Sequence, residues 1–123
     1  MKEENEKVQT FLPDGTKGEH ILKSKYERWS KFILSALDTE ENITLNDILE
    51  RARTQATVSQ HNEIGWNILH VKRDLEARGL IKPLEDPDFK HTYYLKLTRQ
   101  GFSKVNYDNE IEEWSKPDDN GKK

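Results

Sequence analysis

Four aliphatic residues repeat at helical spacing in the middle of the chain, and this pattern constrains the fold more than any other stretch. They are Ile64, Ile68, Val71 and Leu75. Intervals of four, three and four positions bring such residues onto one face of a helix, which we predict over about residues 62–78. Gly79 follows directly, and glycine readily takes the left-handed conformation that ends a helix. The pattern therefore predicts an amphipathic helix that buries one side.

The opposite side of this helix carries side chains that are suited to binding. On a helical wheel, the residues farthest from the apolar face are Asn62, Trp66, His70 and Arg73. An amide, an indole, an imidazole and a guanidinium together offer hydrogen bonds, stacking and positive charge. We interpret this side of the helix as a surface that contacts a partner.

Composition limits the chain to one small and polar domain. Of its 123 residues, 33% are hydrophobic and 35% are charged, so the core must be small. Cysteine is absent, which excludes disulfide bonds, thiolate zinc sites and thiol nucleophiles. No apolar run approaches the ~18 residues of a membrane span, and the N-terminus lacks the apolar stretch of a signal peptide. We therefore expect no membrane association and a cytoplasmic location.

The net charge of −3 is unevenly distributed along the chain. Residues 17–105 contain fifteen basic and thirteen acidic side chains, a difference of +2, whereas both terminal segments are acidic. A mildly basic body permits a nucleic-acid partner, although a strong argument for one needs a larger basic excess. Charge alone therefore does not choose between a nucleic acid and a protein as the partner.

The remaining sequence adds helices before the central one and a hairpin after it. We predict a mostly disordered lead over residues 1–19, helices over about 19–38 and 45–54, a hairpin over roughly 80–98 and a further helix from 99. Thr44 is a good N-cap for the second helix, with Asp47 three positions later. Ile43, just before it, is either a short strand or a staple residue.

Alternating residues mark the second strand of the hairpin, where Tyr93, Leu95 and Leu97 are expected to face inward. Phe102 and Val105 are expected to face inward from the last helix. Residues 107–123 form an acidic extension that we expect to be partly helical and then disordered. The domain should therefore span residues 20–106, with an α+β fold that is mainly helical.

Two motifs in this order resemble the winged-helix family of helix-turn-helix domains. In that family an L-x-x-x-G-L-I run ends the recognition helix, here Leu75 to Ile81, and an L-T-x-x-G run leaves the hairpin, here Leu97 to Gly101. The stretch Ile64-Gly65-Trp66 is also similar to the winged-helix domain at the N-terminus of Mrr-type restriction enzymes. The resemblance implies a three-helix bundle with a C-terminal two-stranded β-hairpin wing and a further helix.

The same resemblance implies double-stranded DNA as the partner, because winged-helix domains insert the third helix into the major groove. The implied role is transcription regulation or assistance to a DNA-processing system. On and before the third helix, the implied contacts are Gln60, His61, Asn62, Trp66, His70 and Arg73. On the hairpin, they are Lys90, His91 and Lys96. Further phosphate contacts could come from Lys23, Lys25, Arg51 and Arg53.

A second interpretation is a non-catalytic protein-interaction or dimerisation module on the same fold. Acidic side chains at the hairpin tip and on the third helix would repel phosphates. They are Glu63, Asp74, Glu76, Glu85, Asp86 and Asp88. An exposed Trp66 would be a typical interface anchor, unless it packs under the N-terminal lead or the hairpin. Ile111 and Trp114 could pair two chains into a homodimer.

The residue patterns give little support to catalysis or to a cofactor. The four histidines lie at positions 20, 61, 70 and 91 and lack the spacing of a helical metal site. No glycine-rich loop joins a strand to a helix as a phosphate-binding loop does. We therefore expect a protein that is not an enzyme and binds neither a metal nor a small-molecule cofactor.

Overall fold

The computed structural model describes residues 6–57 and 60–106. Its elements are β1 (Lys7–Phe11), β2 (Lys17–Leu22), α1 (Lys23–Thr39), α2 (Leu45–Arg53), α3 (His61–Ala77), β3 (Ile81–Glu85) and β4 (Tyr93–Leu97). Residues 99–106 are also helical and are named α4. The predicted α+β class is confirmed, with two antiparallel hairpins among the described residues where we expected one. The acidic extension over 107–123, with Ile111 and Trp114, lies outside the described residues.

The N-terminal hairpin, β1–β2, contradicts the prediction of a mostly disordered lead over residues 1–19. Its strands pair antiparallel, with Val8 opposite Ile21 and Gln9 opposite His20. The first helix consequently begins at Lys23, four positions later than expected. Residues 1–5 lie outside the described part of the chain. The prediction was wrong for the remainder of the lead, which is paired strand and turn.

A tight turn and two buried side chains stabilise the N-terminal hairpin. Gly15 adopts φ 90° in the turn, and its backbone N–H donates to the Leu12 carbonyl at 2.7 Å. Ile21 joins the core, and Thr10 is buried with its hydroxyl donating to the Glu19 carbonyl at 2.5 Å. Strand propensity in this polar segment is weak, so burial against the helices determines its conformation.

The hydrophobic core lies between the three main helices and is completed by both hairpins. Every described element except β1 contributes a fully apolar buried side chain to it. The members are Ile21, Trp29, Ile33, Leu34, Leu37, Ile43, Ile48, Ala52, Ile64, Ile68, Val71, Leu75, Ile81, Leu95 and Val105. The four aliphatic residues predicted to form the inner face of the third helix are all among them. That prediction is confirmed.

The third helix ends as the sequence predicts, at Gly79 with φ 76°. The Leu80 N–H donates to the Leu75 carbonyl at 2.9 Å, and the Gly79 N–H donates to the Glu76 carbonyl at 3.0 Å. This pair of bonds is a Schellman motif, which satisfies carbonyls that the helix leaves free. The chain then turns directly into β3.

The C-terminal hairpin, β3–β4, confirms the hairpin predicted over residues 80–98. Its register places Leu84 opposite Tyr94 and Lys82 opposite Lys96. Ile43, which precedes the N-cap residue of α2, forms an isolated antiparallel bridge with Leu95 and so acts as a one-residue strand. The bridge fastens the loop between α1 and α2 to the edge of this hairpin.

Two residues that we expected to face inward are exposed instead. Phe102 is 53% exposed, because α4 turns Gly101 and Val105 toward the core and Phe102 lies on the adjacent face. Tyr93 is 47% exposed, since it begins β4 opposite Glu85, in the pair next to the hairpin turn. None of the helices in the described ranges is long and apolar enough to cross a membrane.

The second helix begins with the predicted cap, which is a complete capping box. The Thr44 hydroxyl accepts from the Asp47 N–H, and the Asp47 carboxylate accepts from the Thr44 N–H, each at 3.1 Å. We expect Thr44→Ala to lower the free energy of unfolding by about 1 kcal/mol, measured by urea denaturation. Thr39→Ala, at the exposed end of α1, is the control and should change stability by less than about 0.5 kcal/mol. Equal effects of the two variants would contradict a stabilising cap.

Candidate functional site

The N-terminal half of α3 carries the exposed members of the predicted contact set. Gln60 and Asn62 are exposed on either side of its first residue, and Trp66 is 44% exposed one turn later. The inner side of the same turns is fixed in the core by Ile64 and Ile68. Burial of one face therefore orients the other face outward, as the wheel predicts. We name the set of Gln60, Asn62, Trp66 and Arg73 the α3 surface.

Two histidines of the predicted set are half-buried and engaged within the protein. A ring nitrogen of His61, Nε2, lies 3.2 Å from the Arg53 carbonyl oxygen, which ties the start of α3 to the end of α2. The ring of His70 lies against Trp66, with 4.3 Å between ring centroids. Burial, and then the charge of Arg73, lower the pKa of His70. His70 is therefore neutral at neutral pH and supplies a stacked ring to the α3 surface instead of a positive charge.

Arg73 lies one turn beyond His70 and completes the α3 surface. It is half-buried, and no carboxylate among the described residues forms an ion pair with it. The acidic neighbours on α3 are all paired with bases. The pairs are Glu63 with Lys25, Asp74 with Arg78, and Glu76 with Lys72. Arg73 therefore provides positive charge that its own helix does not neutralise.

The sequence analysis did not identify the role of Asp74, a buried carboxylate on α3. Its side chain is fully buried and accepts hydrogen bonds from the Phe11 N–H at 2.9 Å, the Arg78 Nε–H at 2.6 Å and the Tyr26 hydroxyl. Burial, and then the bond to Asp74, raise the pKa of Tyr26 well above its usual value. The expectation that Asp74 adds negative charge to the outer helix surface was wrong. Only its i, i+4 spacing to Arg78 was visible in the sequence.

The hydrogen bonds to the Asp74 carboxylate hold the N-terminal hairpin against one side of α3. Through Phe11 they attach β1 to the C-terminal half of the helix, and Arg78 lies 5.8 Å from the Phe11 ring. Asn67, on the same side of α3, is also buried. Trp66 keeps nearly half of its surface exposed and has His70 as its ring neighbour. The N-terminal hairpin therefore covers one flank of α3 and leaves its first turns open.

The tip of the C-terminal hairpin carries two further residues of the predicted set, Lys90 and His91, both exposed. The His91 N–H donates to the Glu85 carboxylate at 3.1 Å, and the Asp86 carboxylate accepts from the Tyr94 hydroxyl at 2.6 Å. The latter bond is the main cause that lowers the pKa of Asp86. Two of the acidic groups at the tip therefore hold the turn in shape.

Lys96, the last residue of the predicted set, lies in a separate feature. It lines a groove of about 660 Å³ between the C-terminal end of α1, β4 and α4. The groove is lined by Leu37, Asp38, Thr39, Glu40, Glu41, Asn42, Leu84, Tyr94, Leu95, Lys96, Leu97, Thr98, Arg99 and Phe102. None of these belongs to α3. The nine predicted residues are thus divided among the α3 helix with its preceding residue, the hairpin tip and this groove.

The described ranges contain no group of three or more histidine, aspartate or glutamate side chains arranged to hold a metal ion. The α3 surface and His70 offer two amides, a pair of stacked rings and a guanidinium. Amides and a guanidinium form directed hydrogen bonds, and an exposed indole offers a flat apolar face.

A family model matches residues 7–89, and its description is a family of unknown function, DUF6958. Neither a curated protein nor a solved structure matches the chain. The matched span begins with the first residue of β1 and runs through all three main helices and β3. The N-terminal hairpin is therefore part of the unit that defines the family. Because the match covers more than half of its length, the chain belongs to DUF6958, a family of unknown function.

Proposed function

We propose that this protein is a cytoplasmic winged-helix protein that binds double-stranded DNA through the α3 surface. The observation that supports this most is the exposure of Gln60, Asn62 and Trp66 at the start of a helix whose inner face is fully buried. In helix-turn-helix domains, the N-terminal residues of the recognition helix contact base edges in the major groove. Amide side chains pair well with adenine, and arginine pairs well with guanine or a phosphate.

The order of the elements supports a winged-helix assignment. A helix, a one-residue strand at Ile43, two helices and a hairpin follow one another, and the Ile43 strand joins the hairpin. In this assignment the C-terminal hairpin is the wing, and α2 with α3 is the helix-turn-helix. The N-terminal hairpin is an addition that braces α3 from one side.

Electrostatics supports a modest affinity for DNA. The body of the chain has a charge of about +2, counted from fifteen basic and thirteen acidic residues in 17–105, and most bases near α3 are paired with acids. Few phosphates can therefore be neutralised, so the salt dependence should be shallower than that of a strongly basic DNA-binding domain. These properties suit a regulator, or an accessory to DNA processing, that contacts bases more than it contacts the phosphate backbone.

Arg73→Ala is the variant that tests this proposal. We expect it to weaken binding to a fluorescently labelled generic duplex by roughly tenfold at low salt, because one base or phosphate contact contributes about 1–3 kcal/mol. Fluorescence anisotropy at two salt concentrations measures the affinity and its salt dependence. Lys17→Ala is the matched control, since Lys17 is an exposed base on the N-terminal hairpin. If both variants bind DNA as the parent does, the α3 surface is not the reading face.

A protein-interaction role has its own supporting observation, in a different part of the molecule. Most of the exposed large apolar side chains in the described ranges lie on the C-terminal hairpin and α4, away from the α3 surface. The two roles are compatible, because the surfaces that would serve them share no residue.

A further inference from the structure

Large apolar side chains are exposed mainly between residues 84 and 102. They are Leu84 (41% exposed), Phe89 (66%), Tyr93 (47%) and Phe102 (53%). Only 33% of the residues are hydrophobic, so four large apolar side chains exposed within one short segment are unusual for this chain. Such a concentration marks an interaction surface.

The groove beside this segment is lined by apolar side chains and by charges of both signs. Leu84 and Phe102 both line it, together with Tyr94. Asp38 and Glu41, from the end of α1 and the loop that follows, add two carboxylates to the lining. β4 and α4 supply two bases to the lining, Lys96 and Arg99. No ion pair joins any of these four charges to another described residue, whereas their neighbour Glu40 pairs with Arg51 at 2.7 Å. The groove therefore offers charges of both signs, unpaired among the described residues, beside apolar side chains.

The hairpin tip has the complementary arrangement. Phe89 is the most exposed of the large apolar residues, and the exposed charges Asp88 and Lys90 flank it. The turn that carries it is held by bonds from the Asp86 N–H to the Thr92 carbonyl at 2.8 Å and from the Thr92 N–H to the Phe89 carbonyl at 3.3 Å. An aromatic ring on a turn fixed in this way loses little conformational entropy when it binds.

We propose that the hairpin tip docks into this groove of a second copy of the chain, and that the exchange is reciprocal. Phe89 of one copy enters between Leu84 and Phe102 of the other. Its flanking acid then meets the bases on β4 and α4, and its flanking base meets the acids at the end of α1.

Symmetry is consistent with this pairing. The tip and the groove adjoin along the same hairpin, and the cross-strand pair of Leu84 and Tyr94 lies where they meet. In the proposed dimer a two-fold axis near this pair relates the two copies, so that each tip contacts the groove of the other. Such an interface is isologous and closed, which is the commonest arrangement in homodimers.

The charges of the tip favour a second copy over DNA as the occupant. Glu85 and Asp88 lie close to Phe89 in the hairpin tip and would repel the phosphates of a duplex. The groove of a second copy instead presents Lys96 and Arg99 to these acids. Dimerisation of this kind does not require the proposed DNA binding, because it involves other residues and is tested without DNA.

Phe89→Ala is the variant that tests the interface, with mass measured by sedimentation velocity over a wide range of protein concentration. We expect a monomer–dimer equilibrium for the parent and a dissociation constant raised roughly 30-fold for the variant, as for an interface hot spot. Trp66→Ala is the control, since Trp66 is an exposed aromatic outside the groove, and its dimerisation should equal that of the parent. A parent that stays monomeric at the highest concentration, or a variant that dimerises as the parent does, overturns the proposal.

A charge exchange tests the orientation of the docked tip. Lys96→Glu and Asp88→Lys should each weaken dimerisation, because each places like charges against one another across the interface. The double variant should restore it, since the two charges are exchanged and remain complementary. Neither residue forms an ion pair within the described chain, so circular dichroism should show unchanged folding. A double variant no stronger than the single variants overturns this orientation.

Discussion

Asp74→Ala is expected to lower the free energy of unfolding by about 3 kcal/mol or more, the largest loss among the substitutions considered for this protein. The alanine variant would leave the Phe11 N–H and the Tyr26 hydroxyl without their common acceptor. Each buried polar group that loses its partner costs about 1–3 kcal/mol. Arg78 contributes less to the loss, because its side chain is 42% exposed and water can replace the carboxylate.

Urea denaturation measures the loss for Asp74→Ala, and hydrogen exchange locates it. Amides of β1 and β2 should lose protection first, because Asp74 holds the N-terminal hairpin to α3 while the helices keep their own core. Glu27→Ala, which removes an exposed carboxylate outside the groove, is the control and should change stability by less than about 0.5 kcal/mol. Comparable stability of the two variants would show that the buried bonds to Asp74 are not important to the fold.

Gly101→Ala and Gly65→Ala are expected to change stability in opposite directions, although both glycines lie in helices. A Cβ atom on Gly101 would overlap the backbone carbonyl of Leu80, so α4 would have to move away from the chain beneath it. We expect a loss of about 2 kcal/mol or more from this overpacking. At Gly65 the nearest atom to such a Cβ is the end of the flexible Arg53 side chain, at 4.0 Å. There alanine should stabilise the helix by about 0.5–1 kcal/mol.

Thermal and urea unfolding of these two glycine variants give the comparison directly. Each variant serves as the control for the other, since the chemical change is the same and only the surroundings differ. A small effect of Gly101→Ala would mean that α4 does not pack closely on Leu80. A destabilising Gly65→Ala would mean that the first turns of α3 are crowded by more than the Arg53 side chain.

Local signals account for the parts of the fold that could be predicted. The inner face of α3 follows from the spacing of four aliphatic residues, and its end follows from Gly79, which needs a left-handed backbone. The cap at Thr44 is equally local, because both of its hydrogen bonds lie within four residues. The exposed positions Asn62 and Trp66 follow from the same wheel as the buried ones.

Contacts between distant parts of the chain account for what could not be predicted. The N-terminal hairpin depends on a bond from Phe11 to Asp74, which lies 63 positions away, and its second strand has the polar sequence KGEHIL. Phe102 is exposed because Gly101, its neighbour, is the residue that fits against Leu80. No residue pattern within α4 predicts the contact between Gly101 and Leu80.

The candidate site was likewise predictable only where it depends on local sequence. The open half of α3 could be predicted from periodicity, but the covered flank could not, because the hairpin that covers it was itself unexpected. The groove around Lys96 is assembled from α1, the following loop, β4 and α4. Its existence depends on how these elements meet, so the sequence indicated Lys96 only as a base on a hairpin.

The attachment of β1 through Asp74 also affects the order in which the molecule can assemble. A ribosome releases the N-terminal strands long before the carboxylate that accepts the Phe11 N–H has been translated. Until α3 has emerged, the strands can pair with each other and contact α1, but the Phe11 N–H lacks its acceptor. The bond between β1 and Asp74 can therefore form only after α3 has been translated, although β1 precedes α3 in the chain.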